Sequence, residues 1–331
     1  MKIIHVTNEL AAGERKVCLA IGFFDGVHLG HQQIIRQTIS DARQHDAIAV
    51  VLTFDRHPNS IVAPDKVPPL IYSLPQKLRA IESLGADALL LVQFDKKFSE
   101  QTGEEFIRSL ARDFGKVHSI CVGADFVFGH KRSGDVALLK KLGVELNFSV
   151  HGLSAVSLDG QVVSSTRIRE TIRAGDFDAA SQMLGRTYAI SGRVVEGDRL
   201  GHKLGFPTAN LDATNLILPP NGVYSGLVRR TGVAPVLNKT SDQTTKQIRD
   251  RRDACPTTYR VALNIGLRPT VASAKPQLRV EAHLLDFDGK LYGEELEVEI
   301  GEKLRDERKF NSPNELREQI SRDVLAVRKL V

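Results

Sequence analysis

The chain has 331 residues, 42% of them hydrophobic and 26% charged, with a net charge of +5 at neutral pH. That length is long for one core, so two domains are expected, and the composition is that of an ordinary globular protein. No apolar run approaches the ~20 residues that span a bilayer, and the mixed start Met1-Lys-Ile-Ile-His5 does not read as a signal peptide, so no membrane partner is expected.

Residues 17–150 alternate in type. Apolar runs at 17–22, 47–53, 88–94, 117–123 and 144–150 read as strands, and the amphipathic stretches 29–44, 75–84, 102–114 and 134–142 read as helices. Such alternation predicts a parallel sheet with helices on both faces, whose ligands bind beyond the C-terminal strand ends. Three chemistry-bearing clusters follow three of those ends: residues 22–31, 53–58 and 123–125. Two short helices, 166–174 and 177–184, close this half, and the boundary falls at 185/186. From there strands follow one another at 188–196, 222–228, 258–266, 278–286 and 295–300, before a final helix at 313–329. Strands without intervening helices predict an antiparallel barrel or sandwich.

The three cysteines are widely spaced and form no zinc pattern. Cys18 and Cys121 read as core residues, and this usage suits a reducing cytosol, so a cytoplasmic location is expected. The charge is local. Residues 229–257 hold seven Lys/Arg against three Asp, which is +4 of the chain's +5. This Thr-rich segment reads as a surface loop, with RNA or another acidic partner as the lesser reading. Oligomeric state is left open.

The most informative stretch is 22–31, Gly-Phe-Phe-Asp-Gly-Val-His-Leu-Gly-His. A glycine-rich turn from strand to helix offers unpaired N–H groups and the positive end of the helix dipole to a phosphate. His28 and His31 lie three apart, on one face of the first helical turn, and aim two proton-bearing imidazoles at it. Ser164, Ser165 and Thr166 stand at a helix start where hydroxyls cap the helix or bind phosphate, and Arg169 offers a bidentate fork. In the second half no Walker motif occurs. Gly197, Gly201 and Gly205 instead space a flexible loop. Thr208 and Asn210 follow it on an extended stretch that turns both to one side, and a hydroxyl and an amide oxygen suit Mg2+.

The 22–31 segment resembles the signature of the HxGH nucleotidyltransferases, and Ser164-Ser-Thr-Arg-Ile-Arg169 is similar to the same family's Ser-Ser-Thr-x-Ile-Arg motif. The resemblance implies a Rossmann-like domain at 1–185 in which His28 and His31 contact the phosphates of a nucleoside triphosphate. Gly22, Phe24, Asp25 and Gly30 complete that turn. Residues 53–58 and 122–134 resemble the flavin adenylyltransferase module of bacterial riboflavin kinase/FAD synthetases. There these loops surround FMN and ATP, and Asp125 is a site residue. Arg56 stands where that family usually has proline. Phe54, Phe126 and Phe128 read as core before ligand platform.

Residues 197–211, with their Pro-Thr-Ala-Asn stretch, resemble the glycine-rich loop of riboflavin kinases. Residues 222–225, 264–270 and 280–287 continue the match. The resemblance implies that Glu281 is the general base for the 5′-hydroxyl of riboflavin, that Gly197, Gly201, Lys203, Gly205 and Arg305 contact nucleotide or flavin, and that Thr208 and Asn210 hold Mg2+. The fold expected at 186–331 is an antiparallel β-barrel with a terminal helix. Together these features imply a transferase that makes FMN and then FAD, with ATP as co-substrate and flavin as substrate and product. The alternatives are a chain with one active domain, or a module that senses flavin nucleotides or RNA.

Overall fold

The computed structural model describes residues 1–10, 13–198, 200–230, 258–268 and 277–330. They divide into two compact units, Met1–Glu170 with Gln182–Arg186, and Thr171–Ser181 with Thr187–Val331. In chain order the first part contains β1 (Lys2–Ile4), β2 (Val17–Ile21), α1 (Leu29–Gln44), β3 (Ile48–Phe54), α2 (Asn59–Val62), α3 (Leu74–Glu82), β4 (Ala88–Val92), α4 (Lys96–Ser99) and α5 (Gly103–Phe114). It continues with β5 (Val117–Gly123), α6 (Val136–Leu146), β6 (Ser149–Leu153), a small hairpin of β7 (Ser157–Leu158) and β8 (Gln161–Val162), α7 (Ser165–Ala174) and α8 (Phe177–Leu184).

Strands β1 to β6 form one parallel sheet in the order β1-β4-β3-β2-β5-β6. All five residues of β2 are buried and so are six of seven in β3, as unbroken apolar runs require in a sheet covered on both faces. Leu19, Val50, Leu90, Ile120 and Val122 meet Ile107 of α5 and Leu139 of α6 in the core. Local chemistry sets the helix starts. Ser73 caps α3, Thr102 and Glu105 form a capping box on α5, and Asp135 accepts from Leu138 N at 2.8 Å to begin α6. Strand order reverses at β2, which has β3 on one side and β5 on the other. That reversal opens a crevice beyond the strand ends.

The strand expected at 144–150 is displaced. Helix α6 runs on to Leu146, with Val144 88% exposed on its outer face, and Asn147 ends it in a left-handed conformation (φ 60°). The strand starts only at Ser149. An apolar valine on the solvent side of a helix misled the period count. Strand β1 also escaped the sequence reading, because three residues carry no usable period.

The second part contains β9 (Ala189–Val195), α9 (Leu200–Leu204), β10 (Ala209–Asp212), β11 (Gly222–Arg230), β12 (Thr258–Arg268), β13 (Gln277–Leu284), β14 (Glu295–Arg305) and α10 (Pro313–Leu330). The six strands close into a barrel in the order β10-β13-β12-β11-β14-β9, every pair antiparallel, with β9 pairing back onto β10. Val280, Ala282 and Leu284 of β13 are buried, while Arg279, Glu281 and His283 alternate onto the other face. Val327 of α10 is fully buried against Ala262 and Leu285.

Cys18 and Cys121 are buried free thiols in the core, as expected, and Cys255 lies outside the described residues. Of the basic segment, Arg229 on β11 pairs with Glu299 at 3.0 Å, and residues 231–257 lie outside the described residues. No described helix is long and apolar enough to cross a membrane.

Candidate active sites

Beyond β2 the chain turns through three residues of positive φ: Phe24 (54°), Gly26 (74°) and Val27 (41°). The turn delivers His28 to the N-cap position of α1, where no side chain supplies a capping bond. A 16-residue helix with such an end suits an anion. The His28 and His31 rings stack with centroids 3.6 Å apart and planes at 22°. Nδ1 of each is buried without a hydrogen-bond partner. Leaving a buried polar atom unpaired costs about 1–3 kcal/mol, which a phosphate oxygen can recover. Burial pushes His28 down to about 4, with Arg186 and Arg169 adding to the effect. Burial also holds His31 well below the usual histidine range, helped by His28, Lys77 and Arg186. Both rings are therefore neutral at pH 7, each with one N–H.

This depression has a consequence for stability. The folded protein holds His28 neutral, whereas the unfolded chain protonates it near 6.5. The contribution is fully present above 6.5 and is lost as pH falls toward 4. His28 alone should remove roughly 3 kcal/mol across that interval. Urea unfolding of the first unit at pH 7 and pH 5 should show the drop. A His28→Gln chain should show less of it.

A cavity of about 640 Å3 opens above the sheet, lined by Gly22, Phe24, Asp25, His28, Gly30, His31, His57, Gly123, Asp125, Phe126, Ser165, Thr166 and Arg169. It brings together the three strand-end clusters and the Ser-Thr-Arg motif. Asp25 is 4% exposed. Its carboxylate accepts from Ile71 N (3.0 Å) and Tyr72 N (3.3 Å) and meets Arg169 Nη2 at 2.6 Å. Burial raises the Asp25 pKa, and Arg169 with the two backbone donors opposes the rise. Arg169 Nε donates to Pro69 O at 2.7 Å, so two donors of the expected phosphate fork are already engaged. Ser164 caps α7 by accepting from Arg167 N at 3.3 Å, and Ser165 donates to Asp25 O at 3.3 Å. Phe54 packs with Phe94 and Phe98, whereas Phe126 stacks on Phe128 and also lines the cavity.

In the second unit a cavity of about 330 Å3 lies on the outer face of the barrel, lined by Gly201, Thr208, Asn210, Asn264, Glu281 and Arg305, with Leu316, Ile320 and Asp323 of α10. Glu281 stands directly across from Asn210 on one neighbouring strand and from Asn264 on the other. Thr208 lines the same cavity two residues before Asn210, as the extended alternation predicts. A side chain at Gly197 would run into the Asn210 amide. Residues 200–204 form α9 rather than an open loop, and Gly205 follows it with φ 88°. The Lys203 side chain lies outside the described residues. Arg305 gives Nε and Nη2 to Asp323 (3.1 and 2.8 Å) and Nη1 to Asp306 O (3.0 Å), and lies 5.7 Å from the Phe310 ring centroid.

Sequence reasoning missed the residues that hold these loops. Lys77 of α3 is 4% exposed. Its Nζ donates to Phe23 O (3.2 Å), Thr53 Oγ1 (3.2 Å) and Phe54 O (2.8 Å), and sits 4.4 Å from the Phe23 ring centroid. It ties the end of β2 to the end of β3, and burial lowers its pKa to about 8. A lysine among the buried positions Gln76, Ala80 and Ile81 was the available signal. In the barrel unit, Arg279 pairs with Asp198 at 2.9 Å, and His283 Nδ1 lies 2.8 Å from Pro207 O. These contacts hold the segment before β10 against β13.

Two family profiles match the chain, FAD synthetase over residues 11–167 and riboflavin kinase over residues 184–331. A protein of Escherichia coli (strain K12) described as a bifunctional riboflavin kinase/FMN adenylyltransferase is 36% identical over 330 residues, covering 99% of this chain and 97% of its own. A Pseudomonas fluorescens protein of the same description is 33% identical over 330 residues, covering 100% of this chain and 98% of its own. A solved structure described as a macrolide-efflux protein from Streptococcus pneumoniae is similar over 100% of both chains, with a TM-score of 0.75 and 26% identity.

Proposed function

The chain belongs to the bifunctional riboflavin kinase/FMN adenylyltransferase family, and on that premise we propose which side chains carry each of its reactions. The enzyme makes FMN from riboflavin and ATP, and FAD from FMN and a second ATP. The observation that supports the assignment is a separate cavity in each unit, each lined by residues its motifs single out. The unit of residues 1–170 and 182–186 transfers AMP, and the unit of residues 171–181 and 187–331 phosphorylates riboflavin.

In the barrel cavity the Glu281 carboxylate takes the proton of the riboflavin 5′-hydroxyl as that oxygen bonds to the γ-phosphorus of ATP and ADP leaves. Thr208 and Asn210 line this cavity and offer hard oxygen donors of the kind Mg2+ takes. Among the described residues no cluster of three His, Cys, Asp or Glu could hold a metal by itself. When bound there, Mg2+ supplies charge neutralisation on the phosphates. Gly197, Gly201, Lys203 and Gly205 shape the nucleotide side, and Arg305, anchored by Asp323, serves the flavin or nucleotide. Asn210→Ala should raise the Mg2+ needed for half-maximal kinase activity about tenfold and leave adenylylation unchanged. A Mg2+ titration of the kinase checks this, and an unaltered dependence refutes the ligand role.

In the first cavity an FMN phosphate oxygen attacks the α-phosphorus of ATP and pyrophosphate leaves, with no covalent intermediate on the protein. The neutral His28 and His31 rings donate N–H bonds where negative charge grows on the α-phosphate, and donors placed in advance favour the transition state over the ground state. Gly22, Phe24 and Gly30 shape the turn, and the Asp25–Arg169 pair fixes it. Asp125, Ser165 and Thr166, which line the cavity, complete the nucleotide and flavin contacts, and Ser164 caps the helix that presents Ser165 and Thr166. The buried thiols Cys18 and Cys121 suit a reducing cytoplasm. Product analysis after incubation with riboflavin, ATP and Mg2+ tests the scheme: FMN should appear first and FAD second, with ADP and pyrophosphate. ADP without FAD would leave the first cavity without its assigned reaction.

A further inference from the structure

We infer that Arg186 is a positioning residue for adenylyl transfer, its guanidinium holding the strained turn that aims His28 and His31. This rests on the assignment of that reaction to the 22–31 turn. Arg186 Nη2 donates to Gly26 O at 2.7 Å and to Val27 O at 2.9 Å. Its Nε donates to the Tyr72 hydroxyl oxygen at 2.9 Å, and its guanidinium carbon lies 5.2 Å from the Tyr72 ring centroid. Both carbonyls belong to residues with left-handed φ, 74° and 41°. Val27 is β-branched and fully buried, so its conformation is a genuine outlier of about 1–3 kcal/mol. Such strain persists only where the surroundings over-determine it.

Arg186 provides that determination, and Gln32 completes it. Gln32 Nε2 donates to Val27 O at 3.0 Å and to Leu184 O at 2.7 Å, fixing the 184–186 backbone beside the turn. The two carbonyls that Arg186 holds immediately precede His28, so their release lets the first histidine leave its stacked position. The guanidinium also faces the imidazoles electrostatically. Arg186 and Arg169 disfavour protonation of His28, and Lys77 and Arg186 that of His31, with the Asp25 carboxylate in its ion pair with Arg169. Arg186 lies outside the FAD synthetase match at 11–167 and inside the riboflavin kinase match at 184–331. Family boundaries alone would credit it to the other reaction.

The test compares Arg186→Gln, Arg186→Lys and His28→Ala in the full chain, with both activities assayed. Arg186→Gln should lower the kcat of FMN adenylylation about 10- to 100-fold, with smaller changes in KM and riboflavin phosphorylation unaltered. The acid limb of adenylylation should move to higher pH, because a cation beside the imidazoles is gone. Arg186→Lys keeps the charge but not the fork, so it should recover only part of the rate. A folded Arg186→Gln chain with unchanged adenylylation and pH profile overturns the inference. Full recovery in Arg186→Lys also overturns it, since charge alone would then suffice. If Arg186→Gln does not fold, Tyr72→Phe removes the hydroxyl that accepts from Nε. Adenylylation should then fall several-fold, and an unchanged kcat overturns the inference. If His28→Ala keeps its adenylylation, the site assignment has failed instead.

Discussion

Glu281→Gln lowers riboflavin phosphorylation by an expected 10²- to 10⁴-fold, the usual contribution of a general base, while FMN adenylylation stays at the wild-type rate. The substitution keeps the size of the side chain and an oxygen that can face the neighbouring donors. It removes the ability to take a proton. Glu281 sits mid-strand on the closed barrel, paired through its backbone with Asn210 and Asn264, so the amide should be accommodated without moving β13. The loss should therefore appear in kcat, with KM for riboflavin and ATP little altered. Separate assays of ADP release and FAD formation decide the matter. Near wild-type phosphorylation in this variant would remove Glu281 from the base role.

His28→Ala should do the reverse and lower adenylylation about 10²- to 10³-fold, comparable to the loss of one oxyanion donor, with riboflavin phosphorylation intact. The expectation follows from the ring's placement rather than its charge. The ring lines the cavity beyond β2, and its Nδ1 is buried without a hydrogen-bond partner. Truncation also removes the partner on which His31 stacks, so the second ring loses its alignment. FAD formation from FMN and ATP, followed with pyrophosphate release, measures the effect. Loss of both activities in a folded His28→Ala chain would count against two independent sites.

The sequence exposed what depends on spacing. The parallel sheet was legible because buried strands are apolar without interruption, and the 22–31 turn because its glycines and histidines have fixed positions. Thr208, Asn210 and Glu281 fell on one surface because alternation along strands has only two outcomes. What stayed hidden depends on three-dimensional partners. Arg169 reads as an open fork in sequence, yet Asp25, 144 positions away, and the Pro69 carbonyl occupy two of its donors. Lys77 and Arg186 act on backbone carbonyls, which carry no side-chain signature. The displaced β6 shows the limit of periodicity, since an exposed Val144 counts as apolar wherever it points.

A closed barrel has no edge strand. Each of the six strands has a hydrogen-bonded neighbour on both sides, so none presents a free row of N–H and C=O groups to another chain. The corner between β11 and β12 can therefore gain or lose length without creating a template for aggregation. Arg229 and Thr258 are already paired across it. Deleting residues 232–255 would leave residues 231, 256 and 257 as a connection within the length range of β-hairpin loops. The shortened chain should express as well as the parent and keep both activities, because this architecture tolerates length variation at that corner without exposing strand edges.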